Sequence, residues 1–256
     1  MRDCREEWYD EVRRVSVVAV DVTTAAGELA RAHLNGPVSA HYLAKALAAA
    51  ALLASETSHD DEVVAVQMKC SGPLGGFYVE CSAAGDLRGY TEKKILDEFD
   101  GAAFTDKQVV GESRLQITRS IPGRILSQGL SNSFDGYLAS SLQRRALMYL
   151  DASVNDEVEV IAARGVLVEA LPDSEVAVSE LPVENLFVSP RKILSELGLK
   201  GAEKKRTTSL RFRCRCSPER AVASLGALSG EERATLPENI DITCHMCGRI
   251  FTVSAK

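Results

Sequence analysis

Four of the seven cysteines in this 256-residue chain fall in two close pairs near its end, Cys214 with Cys216 and Cys244 with Cys247. No other feature restricts the chain so tightly. In Leu210-Arg-Phe-Arg-Cys-Arg-Cys216, apolar residues and cysteines alternate strictly with Arg211, Arg213 and Arg215. That period of two predicts a strand with both sulfurs on one face. In Ile240–Val253 two alternating runs flank Cys-His-Met-Cys-Gly, which predicts a β-hairpin with two thiols at its tip. Four sulfurs supplied as two short-range pairs suit one tetrahedral Zn²⁺ per chain, with Zn–S of about 2.3 Å and no open coordination position. A closed site of this kind is structural. Two disulfides, or four unrelated core thiols, are the competing readings. The first suits an exported chain, and the second leaves the paired spacing without a reason. His245, beside Cys244, is expected to face solvent.

Charge divides unevenly. From residue 201 onward there are ten Lys or Arg against six Asp or Glu, so +4, which leaves 20 against 30, or −10, for residues 1–200. A tetrathiolate zinc centre carries two net negative charges, so the arginines near the cysteines are expected to offset it. The N-terminus, Met-Arg-Asp-Cys-Arg-Glu-Glu, has no apolar core of a signal peptide. The longest apolar run, Ala46–Ala54, is nine residues, short of the ~20 that span a bilayer. The expectation is a cytoplasmic protein without a membrane partner, its thiols kept reduced.

Residues 1–172 read as one α+β domain of antiparallel sheet with packed helices. Val15–Val22 predicts the first strand, and Thr23-Thr24 caps a helix running to about Leu34, which Asn35-Gly-Pro37 breaks. Ser39–Ser55 is alanine- and leucine-rich, apolar on most sides, and so predicts a helix buried between other elements. Val63–Cys70, Phe77–Cys81 and Gly85–Tyr90 predict a meander, with Cys70 and Cys81 as buried, inert thiols. A strand is expected over Ser113–Ser120, a helix over Asp135–Asp151 with Arg144-Arg145 on its wet face, and a last strand over Val158–Leu171, where Gly165 marks a bend or close approach.

Residues 173–209 read as a linker. Pro190 starts and Gly198 stops a short helix carrying Ile193, Leu194 and Leu197, preceded by Leu186, Phe187 and Val188. So short a helix does not persist alone in water and must dock on the first domain or on the cysteine unit. Lys200–Ser209 is polar and basic, an expected exposed connection. Residues 210–256 form a unit of a size that seldom folds without metal or disulfides.

The pairs Cys214-Arg-Cys216 and Cys244-His-Met-Cys247, with 27 residues between Cys216 and Cys244, resemble the zinc signature of the heat-shock protein 33 family of redox-regulated chaperones. The resemblance extends to Gly72-Pro-Leu-Gly75, to Gly85-Asp-Leu-Arg-Gly-Tyr90 and to the alanine-rich helix before them. It implies an α+β client-binding domain, a metastable linker that includes Leu186, Phe187, Val188, Ile193, Leu194 and Leu197, and a small zinc domain. It also implies an inactive zinc-bound reduced state. Oxidation would form Cys214–Cys216 and Cys244–Cys247 disulfides, release zinc and unfold the linker. The exposed surface would then hold unfolding client proteins without ATP, with a homodimer expected in the oxidised state.

A zinc-ribbon nucleic-acid module is the alternative, favoured by Lys204-Lys-Arg206 and disfavoured by the acidic remainder and by the lack of aromatic residues among the basic ones. An enzyme is not indicated. The chain has no Walker loop and no Gly-x-Ser-x-Gly, and His33, His41, His59 and His245 lack the spacing of a base or an open metal site.

Overall fold

The computed structural model describes residues 3–178 and 190–254. Two sheets sandwich one helix. The first sheet has five strands in the order β10 (Glu203–Ser209), β1 (Cys4–Asp10), β2 (Val15–Asp21), β9 (Val160–Ala170) and β8 (Arg145–Val154), and the second has six in the order β11 (Arg211–Phe212), β5 (Asp86–Thr91), β4 (Gly76–Ser82), β3 (Val63–Cys70), β6 (Ser113–Ile121) and β7 (Arg124–Ser131). The sandwiched helix is α2 (Pro37–Leu53), whose N1/N2 proline and near-continuous Ala/Leu sequence favour helix without bulky side chains. Fourteen of its 17 residues are buried, so it meets protein on almost every side, as its lack of a polar face predicts. By length and composition the helix through Glu56 could cross a membrane, but 83% of that window is buried inside the protein.

Helix α1 (Thr23–His33) precedes α2, and Leu34 closes it in the left-handed conformation. Its N-terminus departs from the expected threonine cap. Val22 occupies the cap position, and the Asp3 carboxylate accepts from the N–H groups of Thr24 (2.9 Å) and Ala25 (2.5 Å). Thr23 instead offers its hydroxyl oxygen to the Ala163 N–H at 3.0 Å. A carboxylate at a helix start satisfies orphan donors and complements the dipole, and it also ties the chain's beginning to α1.

Strands β2 (Val15–Asp21), β3 (Val63–Cys70), β4 (Gly76–Ser82), β5 (Asp86–Thr91), β6 (Ser113–Ile121) and β9 (Val160–Ala170) lie where alternation predicts them. Cys81 is fully buried in the core and its thiol is pushed up to about 12 by burial, whereas Cys70 is half-buried at the end of β3. Gly165 faces α2, where a Cβ would come within 2.9 Å of Leu52 Cδ1, so the close approach is real.

The remaining elements correct the sequence reading. β1 (Cys4–Asp10) precedes the expected first strand, and β7 (Arg124–Ser131) pairs with β6. The short α3 (Asp106–Val109) is closed by a Thr105/Gln108 capping box. The helix expected over Asp135–Asp151 is limited to α4 (Phe134–Gly136) and a wide turn over Tyr137–Ser141, after which β8 (Arg145–Val154) pairs with β9 along its length. Gln143 at φ 54° breaks the helical path. The run Leu147–Leu150 is apolar on both faces because the sheet is covered on both faces, and such a run carries no period that separates helix from strand. Arg144, expected on a wet face, bonds the Glu56 and Glu169 carboxylates.

The outer face of the first sheet is covered by α5 (Pro190–Glu196). Ile193, Leu194, Leu197 and Leu199 are each at most 6% exposed and pack with Val15, Val17, Val166 and Val168. Of the two docking partners open to this helix, the first domain receives it. Leu186, Phe187 and Val188 lie outside the described residues. Glu203–Ser209 is not a free connection. It is β10, an edge strand antiparallel to β1, its side chains exposed as expected but its backbone paired.

Gly165→Val is expected to destabilise the chain by about 1–3 kcal/mol through overpacking against α2. Gly27→Ala, in α1 where a Cβ meets only ordinary contacts, is expected to stabilise it by up to about 1 kcal/mol. Urea midpoints of the two variants check both signs.

Candidate metal centre

Strand β11 (Arg211–Phe212) runs parallel to β5, opposite Asp86 and Leu87, and the chain continues extended, with the Arg213 N–H donating to the Leu87 carbonyl. The formal strand is shorter than the alternation predicts. The alternation survives past it: Phe212, Cys214 and Cys216 face the core, while Arg211, Arg213 and Arg215 are exposed.

The second pair sits where the hairpin of β12 (Asn239–Thr243) and β13 (Ile250–Ser254) turns. Cys244 N–H donates to the Arg249 carbonyl, and the Cys247 and Gly248 N–H groups donate to the Cys244 carbonyl, folding a tight knuckle. Gly248 takes φ +70°, which an L side chain rarely adopts. Between the two cysteine segments lie α6 (Pro218–Ser224), capped by the Ser217 hydroxyl, and α7 (Gly230–Ala234), started by a Ser229/Glu232 capping box. Ala221, Leu225 and Val253 are the buried centre of this unit's own small core, joined by Leu236, Ile240, Ile242 and Phe251.

The four sulfurs lie within 4.8 Å of one another. Cys214 Sγ is 3.8 Å from Cys244 Sγ, and Cys216 Sγ is 3.4 Å from Cys247 Sγ. Sulfurs at the corners of a tetrahedron of about 2.3 Å bonds stand about 3.8 Å apart, so the spacing fits a four-coordinate metal. All four cysteines are free of disulfides. Burial opposes ionisation of Cys214, but the Cys216 N–H and the neighbouring sulfhydryls outweigh it and bring that thiol down to about 7. Cys216 and Cys247 are pushed up, by burial first. Four thiolates this close repel one another, so a cation bound among them is what would hold the ionised set together.

The surrounding charges differ from expectation. Arg211 and Arg213 reach Asp86 at 2.7 and 3.8 Å, and Arg215 reaches Glu80 at 3.5 Å. They clamp the unit to β4 and β5 rather than neutralise sulfur. The guanidinium against Cys214 is that of Arg88, itself paired with Glu80. Arg88 escaped the sequence reading because nothing in its strand pattern points to a residue 126 positions away. With three of its arginines already paired to carboxylates, the nucleic-acid reading is not favoured.

The knuckle docks on the first domain. Gly89 N–H donates to the Met246 carbonyl at 3.1 Å, and the Gly89 carbonyl lies 2.8 Å from the buried His33 Nε2. Burial holds the His33 imidazole below its usual range. A Cβ on Gly248 would come within 2.3 Å of the Ala32 carbonyl oxygen in the last turn of α1. His245 is exposed, as expected, yet its ring sits edge-on to Tyr90 at 4.0 Å. Cys247 is buried within the main core.

Taken by class, this is an α+β protein of two sheets around one helix, closed by a four-cysteine unit able to hold a metal ion. The family model described as Hsp33 protein matches residues 8–254, and the chain belongs to the Hsp33 family of chaperones. It is 30% identical to a 33 kDa chaperonin of Symbiobacterium thermophilum, over 92% of this chain and 89% of the relative. It is 28% identical to a 33 kDa chaperonin of Thermus thermophilus, over 94% of this chain and 81% of the relative. A crystal structure of the 33 kDa chaperonin (heat shock protein 33 homolog) from Thermotoga maritima superposes with a TM-score of 0.85, covering 100% of this chain and 96% of that one. At 16% identity that likeness speaks for the fold.

Gly248→Ala is expected to weaken Zn²⁺ binding roughly tenfold, from the left-handed cost of about 1–2 kcal/mol. Gly226→Ala, where a Cβ meets open space, is expected to leave it unchanged. Competition with a chromogenic chelator measures both.

Proposed function

We propose that this chaperone is an ATP-independent holdase switched by thiol oxidation. Residues 210–256 act as the sensor, 173–209 as the linker and 1–172 as the client-binding domain. The observation that carries the reading is the cover on the first sheet: α5 and β10 lie over its outer face and edge, and five residues after β10 ends the chain enters the cysteine centre. Whatever loosens the centre pulls on the cover.

Cys214, Cys216, Cys244 and Cys247 would hold one Zn²⁺. Bound there, it would keep four thiolates together and supply folding energy of roughly 10–16 kcal/mol, as in other small zinc domains. Burying the Leu225 and Val253 side chains offers only about 1.5–3 kcal/mol each. The metal therefore dominates the order of the unit. Oxidation by peroxide or hypochlorite would form Cys214–Cys216 and Cys244–Cys247. With peroxide, each pair of thiolates would give up two electrons as its S–S bond forms, and the peroxide, taking up two protons from solvent, would leave as two waters while the zinc returns to solution. Residues two apart on an extended strand have Cα atoms roughly 6.5–7 Å apart, at the upper edge of disulfide geometry, so the first bond bends the segment that pairs with β5.

Loss of the sensor's fold frees the linker, and Ile193, Leu194 and Leu197 leave Val15, Val17, Val166 and Val168 open to unfolding proteins. Leu186, Phe187 and Val188 would join that surface, and a homodimer is expected in the oxidised state. Zinc release and suppression of thermal aggregation, measured together before and after peroxide at elevated temperature, test the reading. The expected result is both signals rising together on oxidation. Equal suppression by the reduced, zinc-loaded protein would exclude the switch.

A further inference from the structure

β10 is attached to the fold almost entirely through its backbone. None of its seven residues is buried, and none belongs to a hydrophobic cluster. Its side-chain ties to β1 are an exposed Lys204–Glu6 pair at 3.0 Å, the Lys204 ammonium 5.5 Å from the centre of the Trp8 ring, and a long bond from Arg5 to the Thr208 hydroxyl at 3.5 Å. Exposed ion pairs of this kind contribute at most about 1 kcal/mol. What remains is the antiparallel ladder from Cys4↔Ser209 to Tyr9↔Glu203, itself interrupted by a bulge between Glu7 and Trp8.

β1 is held quite differently. It pairs with β2 at seven consecutive positions. Arg5 is wholly buried and donates to the Ala51 carbonyl at 3.1 Å and to Glu7 at 3.0 Å. Asp10 is buried and accepts from the Arg13 N–H, and Asp3 just before β1 caps α1. Trp8 packs into the cluster beneath α5. When β10 leaves, β1 therefore stays.

A fixed strand that loses its neighbour presents a row of unpaired N–H and C=O groups, which is a template for another strand. We infer that the β1 edge, uncovered when β10 departs, is a docking site for extended segments of unfolding polypeptides, which add to the first sheet as antiparallel strands in place of β10. The ligand class follows from how β10 is held. Backbone recognition accepts any extended, proline-poor segment, and every second side chain of the guest falls on the Trp8 side, beside the apolar face that α5 vacates. A guest with apolar residues at those positions gains burial that polar Glu203–Ser209 does not. In the resting state Lys204, Lys205 and Arg206 keep the outermost strand from recruiting partners by the same route.

The inference rests on the holdase reading, and hydrogen exchange separates the two. The probe is permanently unfolded, carboxymethylated α-lactalbumin added to the full-length oxidised chain, with the alternate β1 amides that point toward β10 followed in the reduced, oxidised and probe-bound states, and those that point toward β2 serving as the internal control that stays protected throughout. Protection is expected in the first, a fall of at least about tenfold in the second, and recovery in the third. A peptide of residues 201–210 is expected to compete with the probe, while its Arg206→Pro/Thr207→Pro version is not, because these neighbours lie opposite Glu7 and Glu6 and one of the two must donate its N–H to β1. β10-facing amides that stay protected on oxidation, that stay open with probe bound, or that regain protection without probe as protein concentration rises (a second copy's β10 in place) overturn the proposal, as does equal competition by both peptides. Aggregation suppression is recorded on the same sample. Suppression with an open β1 edge removes only this inference, and no suppression at all removes the holdase reading with it.

Discussion

Four sulfurs within 4.8 Å of one another impose a demand that the surrounding protein does not meet. As thiolates they repel, and as thiols they form only weak hydrogen bonds. A cation or a pair of disulfides must complete the cluster. Cys214, beside Arg88, is held low, whereas burial resists ionisation at Cys216 and Cys247. The nearby arginines are spent on Asp86 and Glu80. The unit is thus clamped from outside by ion pairs and organised from inside by whatever the sulfurs bind.

That arrangement matters because the cysteine unit is woven into the second sheet. β11 extends it beside β5, and the knuckle continues along the same edge through the Gly89–Met246 bond. The preceding β10 closes the edge of the first sheet. One stretch of chain therefore bridges both sheets, closing an edge of each. α2 lies between the sheets with alanines toward each, so the central sandwich has its own packing and does not depend on that stretch. A sandwich packed about α2, with one stretch of chain closing an edge of each sheet, is the plan of the fold.

Legibility in the sequence followed the strength of the local pattern. The meander β3–β5, the buried α2, the cysteine hairpin and the stop at Gly198 were all readable, because alternation, all-round apolarity and glycine at positive φ are imposed within a few residues of the position they describe. β8 misled because a strand covered on both faces loses its period. β10 misled because a polar edge strand looks like a loop until the partner that pairs it is known. β1 lies inside the sheet, but its mixed charges offer no alternation to read.

The sequence by itself determined that two pairs of thiols would meet, since the period of a strand and the geometry of a hairpin tip bring each pair to one face. It also determined that one helix would be buried on nearly all sides, because it offered no face to water. Only the tertiary structure decided where the linker helix rests, which carboxylates engage the arginines, that Arg88 stands beside Cys214, and that β10 closes a sheet begun by residues two hundred positions earlier. Those contacts join segments far apart in the chain, and no periodicity within a segment specifies the partner it will find.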